Sequence, residues 1–274
     1  MSLPLKDAQR TSVMVNAASR WSAADYARNA GFVPALGAAA LTLLDPQPGE
    51  LVIDIGCGDG ALTQQIANAG ARVIGLDASA EMVEAARARQ VDAYLADAQA
   101  LDLQAQRARF GCFDAAFSNA ALHWMLDPGA VARGVHGLLR DGGRFVGEMG
   151  GAGNLALLRA GLRDELNERG YAPPAEDPSW YPDVDAFTAV YTAAGFAGIE
   201  AQLIGRPTPL PTGIAGWVLT FRAGWLAEVG VPVDELPDIA IAVEHRLQPQ
   251  LGQEDGSTTA DYVRLRFRMF KPDV

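Results

Sequence analysis

A doubly wound α/β fold on a mostly parallel seven-stranded sheet is what this sequence predicts. Three observations carry the prediction. Short apolar runs recur, each followed by a helical stretch. The connections between them are mostly short. The first run ends in closely spaced glycines, "VIDIGCGDGA" (Val52–Ala61). Strands and helices alternating in this way make a parallel sheet covered on both faces, with ligand sites at the carboxyl ends of the strands.

The elements follow in order. Residues 1–22 read as an N-terminal tail without the continuous apolar core of a targeting signal. Residues 23–44 read as two helical pieces broken near Gly31 and Pro34, and "DPQPGE" (Asp45–Glu50) is a turn cluster. "LVIDI" (Leu51–Ile55) is a buried strand, and "ALTQQIANAG" (Ala61–Gly70) a helix ended by glycine. "RVIGLD" (Arg72–Asp77) is the second strand. "SAEMVEAARAR" (Ser79–Arg89) is a helix with Ser79 as N-cap and acids in its first turns. Val91–Asp97 and Cys112–Asn119 are the third and fourth strands. Gly129–Gly143 is predicted to be one helix closed by the glycine pair, and Arg144–Gly150 the fifth strand. Asn154–Arg169 and Val184–Gly195 are helical, separated by a Pro-rich loop over 170–183. Ile199–Gly205 and Ala260–Phe270 complete the sheet. The core is therefore assigned to 23–205 and 258–274, and 206–257 to an inserted helical cap.

Bulk properties narrow the function. The chain has 274 residues, 49% of them hydrophobic, enough for a sizeable core. Lys and Arg number 22 against 33 Asp and Glu, so the net charge is 22 − 33 = −11. That field, with no Lys/Arg cluster, argues against nucleic acid as a partner. The longest apolar run, Phe32–Leu44, is too short to span a bilayer and contains Pro and Gly, so no membrane partner is expected. Cys57 and Cys112 have no C-x-x-C partner and there are only three His, so no metal site is expected. A reduced, cytoplasmic setting fits this cysteine usage.

The glycine loop satisfies two spacings, G-x-G-x-G over Gly56–Gly60 and G-x-G-x-x-A over Gly56–Ala61. The second suits a nicotinamide cofactor. Asp77 closes the next strand 21 residues past Gly56, where an acid accepts from a ribose diol under either reading. Three features break the tie. Asp54 lies two residues before Gly56, a poor neighbour for pyrophosphate and a good one for a cationic ligand. Asp97 ends the third strand, where it can accept from an adenine amine. Gly60 completes the tighter spacing.

These residues resemble the class I S-adenosylmethionine-dependent methyltransferases. "LVIDIGCGDGALTQQIA" resembles their first motif, "RVIGLDASAEMVEAA" their second, and "YLADAQAL" their adenine-side acidic motif. "FDAAFSNAALHWMLDPGAVARGVHGLLRDGGRFVGEMGG" resembles their fourth- and fifth-strand region, and its "SNAALHW" is similar to the trans-aconitate and malonyl-carrier-protein carboxyl methyltransferases. The resemblance implies S-adenosylmethionine as cofactor. It implies that Gly56, Cys57, Gly58 and Gly60 surround the methionine moiety, with Asp54 serving its ammonium. It places Asp77 on the ribose, Ala78 and Met82 beside the adenine, Asp97 and Ala98 at the adenine edge, and Asn119 near the methyl donor. Tyr26 would close over the cofactor. His123 stands where those relatives usually carry Gln.

On the acceptor side, His123 is the best base candidate, and equally reads as a structural histidine beside Trp124. Arg222 is either a carboxylate clamp or a solvated helix arginine. Trp217, Phe221 and Trp225 recur at i, i+4 and i+8 and either pack the cap onto the core or wall an apolar site. Trp180 and Tyr181 either line the mouth of the site or anchor the Pro-rich loop. The expected function is methyl transfer from S-adenosylmethionine to a small molecule, possible acceptors including carboxylates. The alternatives are a nicotinamide-dependent oxidoreductase and a non-catalytic S-adenosylmethionine-binding protein. Oligomeric state is not legible.

Overall fold

The structure, a computed structural model, describes residues 37–273; the N-terminal tail and Tyr26 lie outside the described residues. A seven-stranded sheet runs in the order β3-β2-β1-β4-β5-β7-β6. Its strands are β1 (Leu51–Ile55), β2 (Arg72–Asp77), β3 (Asp92–Leu95), β4 (Phe113–Asn119), β5 (Leu139–Gly150), β6 (Ala197–Pro209) and β7 (Thr259–Phe270). The pairs β1–β2, β1–β4, β2–β3 and β4–β5 are parallel, and β7 runs antiparallel between β5 and β6. Strand order reverses between β1 and β4, so their carboxyl ends, Ile55 and Asn119, open a crevice at the switch point.

The helices are α1 (Ala38–Leu44), α2 (Ala61–Asn68), α3 (Ala80–Ala88), α4 (Leu103–Phe110), α5 (Pro128–Leu138), α6 (Ala156–Glu168) and α7 (Val184–Ala193). After them come α8 (Gly213–Phe221), α9 (Ala223–Val229) and α10 (Leu236–Leu251). Several begin on side-chain caps. Ser79 Oγ accepts from the Met82 amide, and Asp102, Asp127 and Asp183 each accept from the amide three residues on.

Two large apolar cores result among the described residues; a third cluster packs α1 and α2 on the opposite face of the sheet through Leu44, Leu62, Ile66 and Phe117, and a small fourth lies under α3. One face of the sheet buries Ile53, Ile74, Phe145, Leu265 and Phe267 against α5 and α7, with Phe187 and Tyr191 stacked on Phe267. The second core joins α6 to α8–α10 through Leu158, Leu162, Trp217, Ile239 and Leu247. Trp217 Nε1 also donates to the Tyr262 hydroxyl at 2.7 Å, fastening these helices to β7. Trp217 is buried there and Phe221 and Trp225 pack on the same cluster, so the aromatic stripe is a packing seam.

The structure departs from the predicted elements at four places. The helix expected over Gly129–Gly143 stops at Leu138. Leu139 turns extended and pairs with Phe113, and Gly142 and Gly143 exchange amide bonds with Lys271. That pairing overrides the glycine stop signal. β6 continues to Pro209, because Arg206–Pro209 pair with β7 as far as Thr259. β3 ends at Leu95, which frees Asp97 to cap a short 3₁₀ turn over Ala98–Ala100. The aromatic stripe is split at Arg222, which ends α8 and starts α9.

A buried charge cluster ties β5, β6 and β7. Glu148 is 3% exposed and its carboxylate takes both Arg206 terminal nitrogens at 2.6 and 2.8 Å. The same carboxylate accepts from Arg266 Nε at 2.9 Å. Removing one member of a buried cluster leaves its partners' charge uncompensated. Glu148→Gln is therefore expected to lower unfolding stability by about 3 kcal/mol in denaturant titration, whereas Glu200→Gln, on the exposed Arg268 pair, shifts it by less than about 1 kcal/mol.

Candidate active site

The site grows from the β1–α2 loop. Gly56, Gly58 and Gly60 have φ of 71°, 55° and 79°, a left-handed succession that side chains resist. The Gly56 and Cys57 amides both donate to Leu76 O, and the Gly58 amide donates to Asp77 Oδ2 at 2.9 Å. A Cβ on Gly60 would press on Val91 and Ala86, whereas one on Gly58 would meet nothing within 4 Å. Gly58 thus faces open space, its backbone uncovered by neighbouring atoms on that side.

The acids predicted from sequence gather behind this loop with different loads. Asp54 is 2% exposed and accepts from Thr63 Oγ1 at 2.7 Å. Burial pushes its pKa up to about 7, against the Thr63 bond and with help from the Asp77 charge. Asp77 is raised by burial, although the Ser79 and Gly58 amides both donate to it. Asp97 is exposed, with Oδ1 committed to the Gln99 backbone and side-chain amides. Ala98 and Met82 are buried and Ala78 is exposed at the start of the β2–α3 turn. The Cys57 thiol is buried and its pKa is pushed up by burial and by the nearby acids, so it stays protonated.

β4 supplies the opposite wall. Ser118 Oγ donates to Ile55 O at 2.8 Å, and Asn119 follows it at the strand end. Ala120 then takes a left-handed φ of 56° while its amide donates to Glu148 O. This turn lies directly on the glycine loop: a Cβ on Gly56 would sit 2.3 Å from the Ala121 Cβ. Residues Leu122–Trp124 form a 3₁₀ turn that carries His123.

His123 is buried and its contacts define its state. Nδ1 accepts from the Gly150 amide at 3.4 Å, which assigns the proton of the neutral ring to Nε2. Burial holds its pKa well below the usual histidine range, helped by the positive charges of Arg264 and Arg222. Its ring stacks on Tyr181 at 5.6 Å, and its carbonyl accepts from the Trp180 amide at 2.8 Å. The Pro-rich loop is thereby pinned to the His123 turn.

Gly150 is the meeting point of this side. A Cβ there would strike the Tyr181 ring at 2.4 Å and Asn154 Nδ2 at 2.9 Å. Across the sheet it pairs with Arg264. Arg264 is 6% exposed, and burial lowers its pKa. Arg222 is 2% exposed and lies over Trp124 at 5.6 Å and Trp217 at 5.5 Å. Its Nη2 is 4.0 Å from Asp177 Oδ1, beyond hydrogen-bond reach. Asp177 is held through its other oxygen by Arg159 at 2.6 Å, and Arg159 lies over the Tyr181 ring. Four buried polar atoms here lack a hydrogen-bond partner among the described residues: Arg222 Nη2, Asp177 Oδ1, Ser179 Oγ and Asn154 Nδ2.

The structure thus gathers Asp54, Gly56, Cys57, Gly58, Gly60, Asp77 and Ala78 around one loop, with Asn119 on the neighbouring strand end. His123, Trp124, Trp180, Tyr181 and Arg222 form a second group. Sequence reasoning missed Asn154, Asp177, Ser179 and Arg264. The alternation of Arg264, Arg266 and Arg268 with Leu265, Phe267 and Met269 was the signal for Arg264. Among the described residues, no group of three or more His, Cys, Asp or Glu is arranged to hold a metal, and no helix is long and apolar enough to cross a membrane.

Comparison with known proteins agrees with this geometry. Residues 53–147 match the family model described as a methyltransferase domain. An uncharacterized methyltransferase of Schizosaccharomyces pombe is 36% identical over 208 residues, covering 73% of this chain and 80% of that protein. A malonyl-[acyl-carrier protein] O-methyltransferase of Pseudescherichia vulneris is 37% identical over 94 residues, covering 34% of this chain and only 36% of that protein. Among solved structures, the Haemonchus contortus phosphoethanolamine N-methyltransferase 2 complex with S-adenosylhomocysteine aligns with a TM-score of 0.53 at 17% identity, covering 86% of this chain and 52% of that one. From the matching domain, the extended relative and the shared fold, the chain belongs to the S-adenosylmethionine-dependent methyltransferases, with S-adenosylmethionine as its cofactor.

Proposed function

We propose that this chain transfers the cofactor's methyl group to a carboxylate oxygen of a small-molecule acceptor, forming a methyl ester. One observation carries the acceptor assignment. Arg222 and Arg264 are both buried beside His123, and among the described residues neither is hydrogen-bonded to a carboxylate. A guanidinium keeps its charge even when desolvated, and a buried charge without a close partner is destabilising. Arg222 has Asp177 4.0 Å away and Arg264 feels the charge of Glu148, so an anionic acceptor held toward Arg264 adds the direct carboxylate hydrogen bonds that neither acid supplies there.

The state of His123 supports the same nucleophile. A hydroxyl or amine gains from a general base, whereas a carboxylate needs none. With Nδ1 taken by the Gly150 amide and the pKa held low, His123 presents Nε2–H as a donor. Its role in this reading is to orient an acceptor oxygen. Tyr181, Trp180 and Trp124 exclude water around it.

The cofactor side fits the residues present. The bare backbone at Gly58, flanked by Gly56, Cys57 and Gly60, suits the amino-acid end of the cofactor, with Asp54 behind it facing the ammonium. Asp77 keeps a lone pair for the ribose hydroxyls, since a carboxylate accepts about four bonds and the Gly58, Ser79 and Ala78 amides act on it as donors. Ala78, Met82, Asp97 and Ala98 line the adenine side, and Asn119 stands toward the methyl donor. When bound, the cofactor supplies a methyl already activated on sulfonium sulfur. The chain's residues align the acceptor with it and keep water out. The free thiols of Cys57 and Cys112 support a reduced cytoplasmic setting, and the net charge of −11 supports a small-molecule rather than nucleic-acid acceptor. The cap assigned to 206–257 loses 206–209 to β6, and in this reading residues 210–257 cover the acceptor side.

Two outcomes are expected. With a panel of small carboxylic acids, the methylated product releases methanol in mild alkali, and a base-stable product contradicts the assignment. Arg264→Met raises KM for the methylated acid about tenfold or more while cofactor affinity changes less than about twofold. A second prediction concerns pH. Asp54 is raised in the folded protein, so it holds a proton up to about pH 7, and a cationic ligand favours its ionised form. Cofactor affinity, measured by calorimetry, should rise about tenfold between about pH 6 and about pH 8 with release of a proton. Asp54→Asn should weaken binding and flatten this dependence. For the protein without cofactor the sign is opposite: the folded state binds the extra proton, so Asp54's contribution to stability declines as pH rises from about 4 through about 7.

A further inference from the structure

Asp177 and Arg222 face each other across a gap that neither closes. Their nearest atoms, Asp177 Oδ1 and Arg222 Nη2, are 4.0 Å apart, and both are buried without a hydrogen-bond partner among the described residues. The two side chains are held in place by other contacts. Arg159 grips the second Asp177 oxygen at 2.6 Å. The Trp124 and Trp217 rings flank the Arg222 guanidinium. The Pro-rich loop that carries Asp177 is tied down by the Trp180 amide on His123 O and the Ala152 amide on Pro182 O. The opposition of a bare acceptor and a bare donor is therefore built into the fold. Ser179 Oγ, two residues along the same loop, is a further buried polar atom without a partner.

The chemistry of the gap is selective. Both atoms are closed to solvent as they stand, so an oxygen enters by a small parting of the two side chains, and at about 2.8 Å from each it makes ordinary hydrogen bonds. A carboxylate oxygen accepts from Arg222 but is repelled by Asp177. An ammonium donates to Asp177 but is repelled by Arg222. A neutral N–H donates to Asp177 and offers Arg222 no lone pair. A hydroxyl does both, donating to Asp177 Oδ1 and accepting from Arg222 Nη2, as a water molecule also does. A ligand hydroxyl takes the place of such a water with its hydrogen bonds kept, whereas an acid without a hydroxyl does not. A site built to pair a hydroxyl discriminates strongly against the analogue that lacks it, because its own buried groups are then left bare.

We infer that the acceptor is a hydroxy acid, its hydroxyl read by Asp177 and Arg222 and its carboxylate held toward Arg264 and His123. This rests on the proposed carboxylate methylation and adds a second recognition element to it. Asp177 is then a specificity-determining residue that takes no part in methyl transfer.

The experiment is a binding comparison on the full chain saturated with S-adenosylhomocysteine, using matched acids with and without a hydroxyl: lactate against propionate, malate against succinate, salicylate against benzoate. In at least one pair the hydroxy acid is expected to bind about tenfold or more tightly by calorimetry. Asp177→Ala should erase that ratio, and Asp177→Asn, which keeps a carbonyl acceptor, should retain part of it. A merely structural role for Asp177 would weaken both members equally and leave the ratio unchanged. Equal binding of both members in every pair that binds overturns the hydroxy-acid inference and leaves the carboxylate reading standing. Failure of every acid to bind overturns the carboxylate reading, and the inference with it. Because the wild-type ratio alone decides the matter, a variant that fails to fold does not remove the test.

Discussion

The close approach of Gly56 to Ala121 is the constraint on which the site depends. These residues begin the turns that leave β1 and β4, the two strands flanking the reversal of strand order. A Cβ on Gly56 would lie 2.3 Å from that of Ala121, so the turns seat together only because residue 56 has none. Ala120 adds its own cost, a left-handed φ of 56° maintained by the bond from its amide to Glu148 O. What the two turns gain is adjacency. One carries the glycine loop and the acids behind it, the other carries His123, and β5 joins the second to Gly150, Tyr181 and Arg264. In the proposed reading, the packing of these two loops on the sheet is what brings methyl donor and acceptor together.

Charge is distributed with the same economy. The chain as a whole carries −11, yet the positive charges of Arg222 and Arg264 act on a neutral, buried His123. Arg206 and Arg266 share Glu148, and Arg159 has Asp177. Arg222 faces Asp177 at 4.0 Å without a hydrogen bond, and Arg264 feels the charge of Glu148. In the proposed reading, a net negative chain around buried arginines keeps a strong local field for a small acid.

Much of this was legible in the sequence because its signals are local. The strand that runs into G-x-G-x-G, the acid two residues before it and the acids near the ends of the next two strands require no tertiary knowledge. The parts that were misread depend on partners distant in the chain. The glycine pair at Gly142 and Gly143 looks like a helix stop, but pairing with Lys271 draws Leu139–Gly143 into β5. Arg222 could be read as a solvated helix arginine. It lies instead at the junction of two helices, between two tryptophans 93 residues apart in sequence, Trp124 and Trp217. Asp177 and Ser179 sit in a Pro-rich loop whose conformation is fixed by Arg159 and by the His123 turn, which no periodicity in that loop reports. Asn154 and Arg264 both come to Gly150 only through β7, Arg264 by pairing with Gly150 across the sheet and Asn154 by accepting from the Val263 amide.

The most direct test is the position of S-adenosylhomocysteine in a crystal structure of its complex with this chain. The account predicts its amino-acid end along Gly56–Gly60 with its ammonium toward Asp54, and its sulfur on the side of the Ala120–Trp124 turn, facing His123. A homocysteine moiety lying away from the glycine loop, or a sulfur separated from His123 and Arg264 by the sheet, would contradict it.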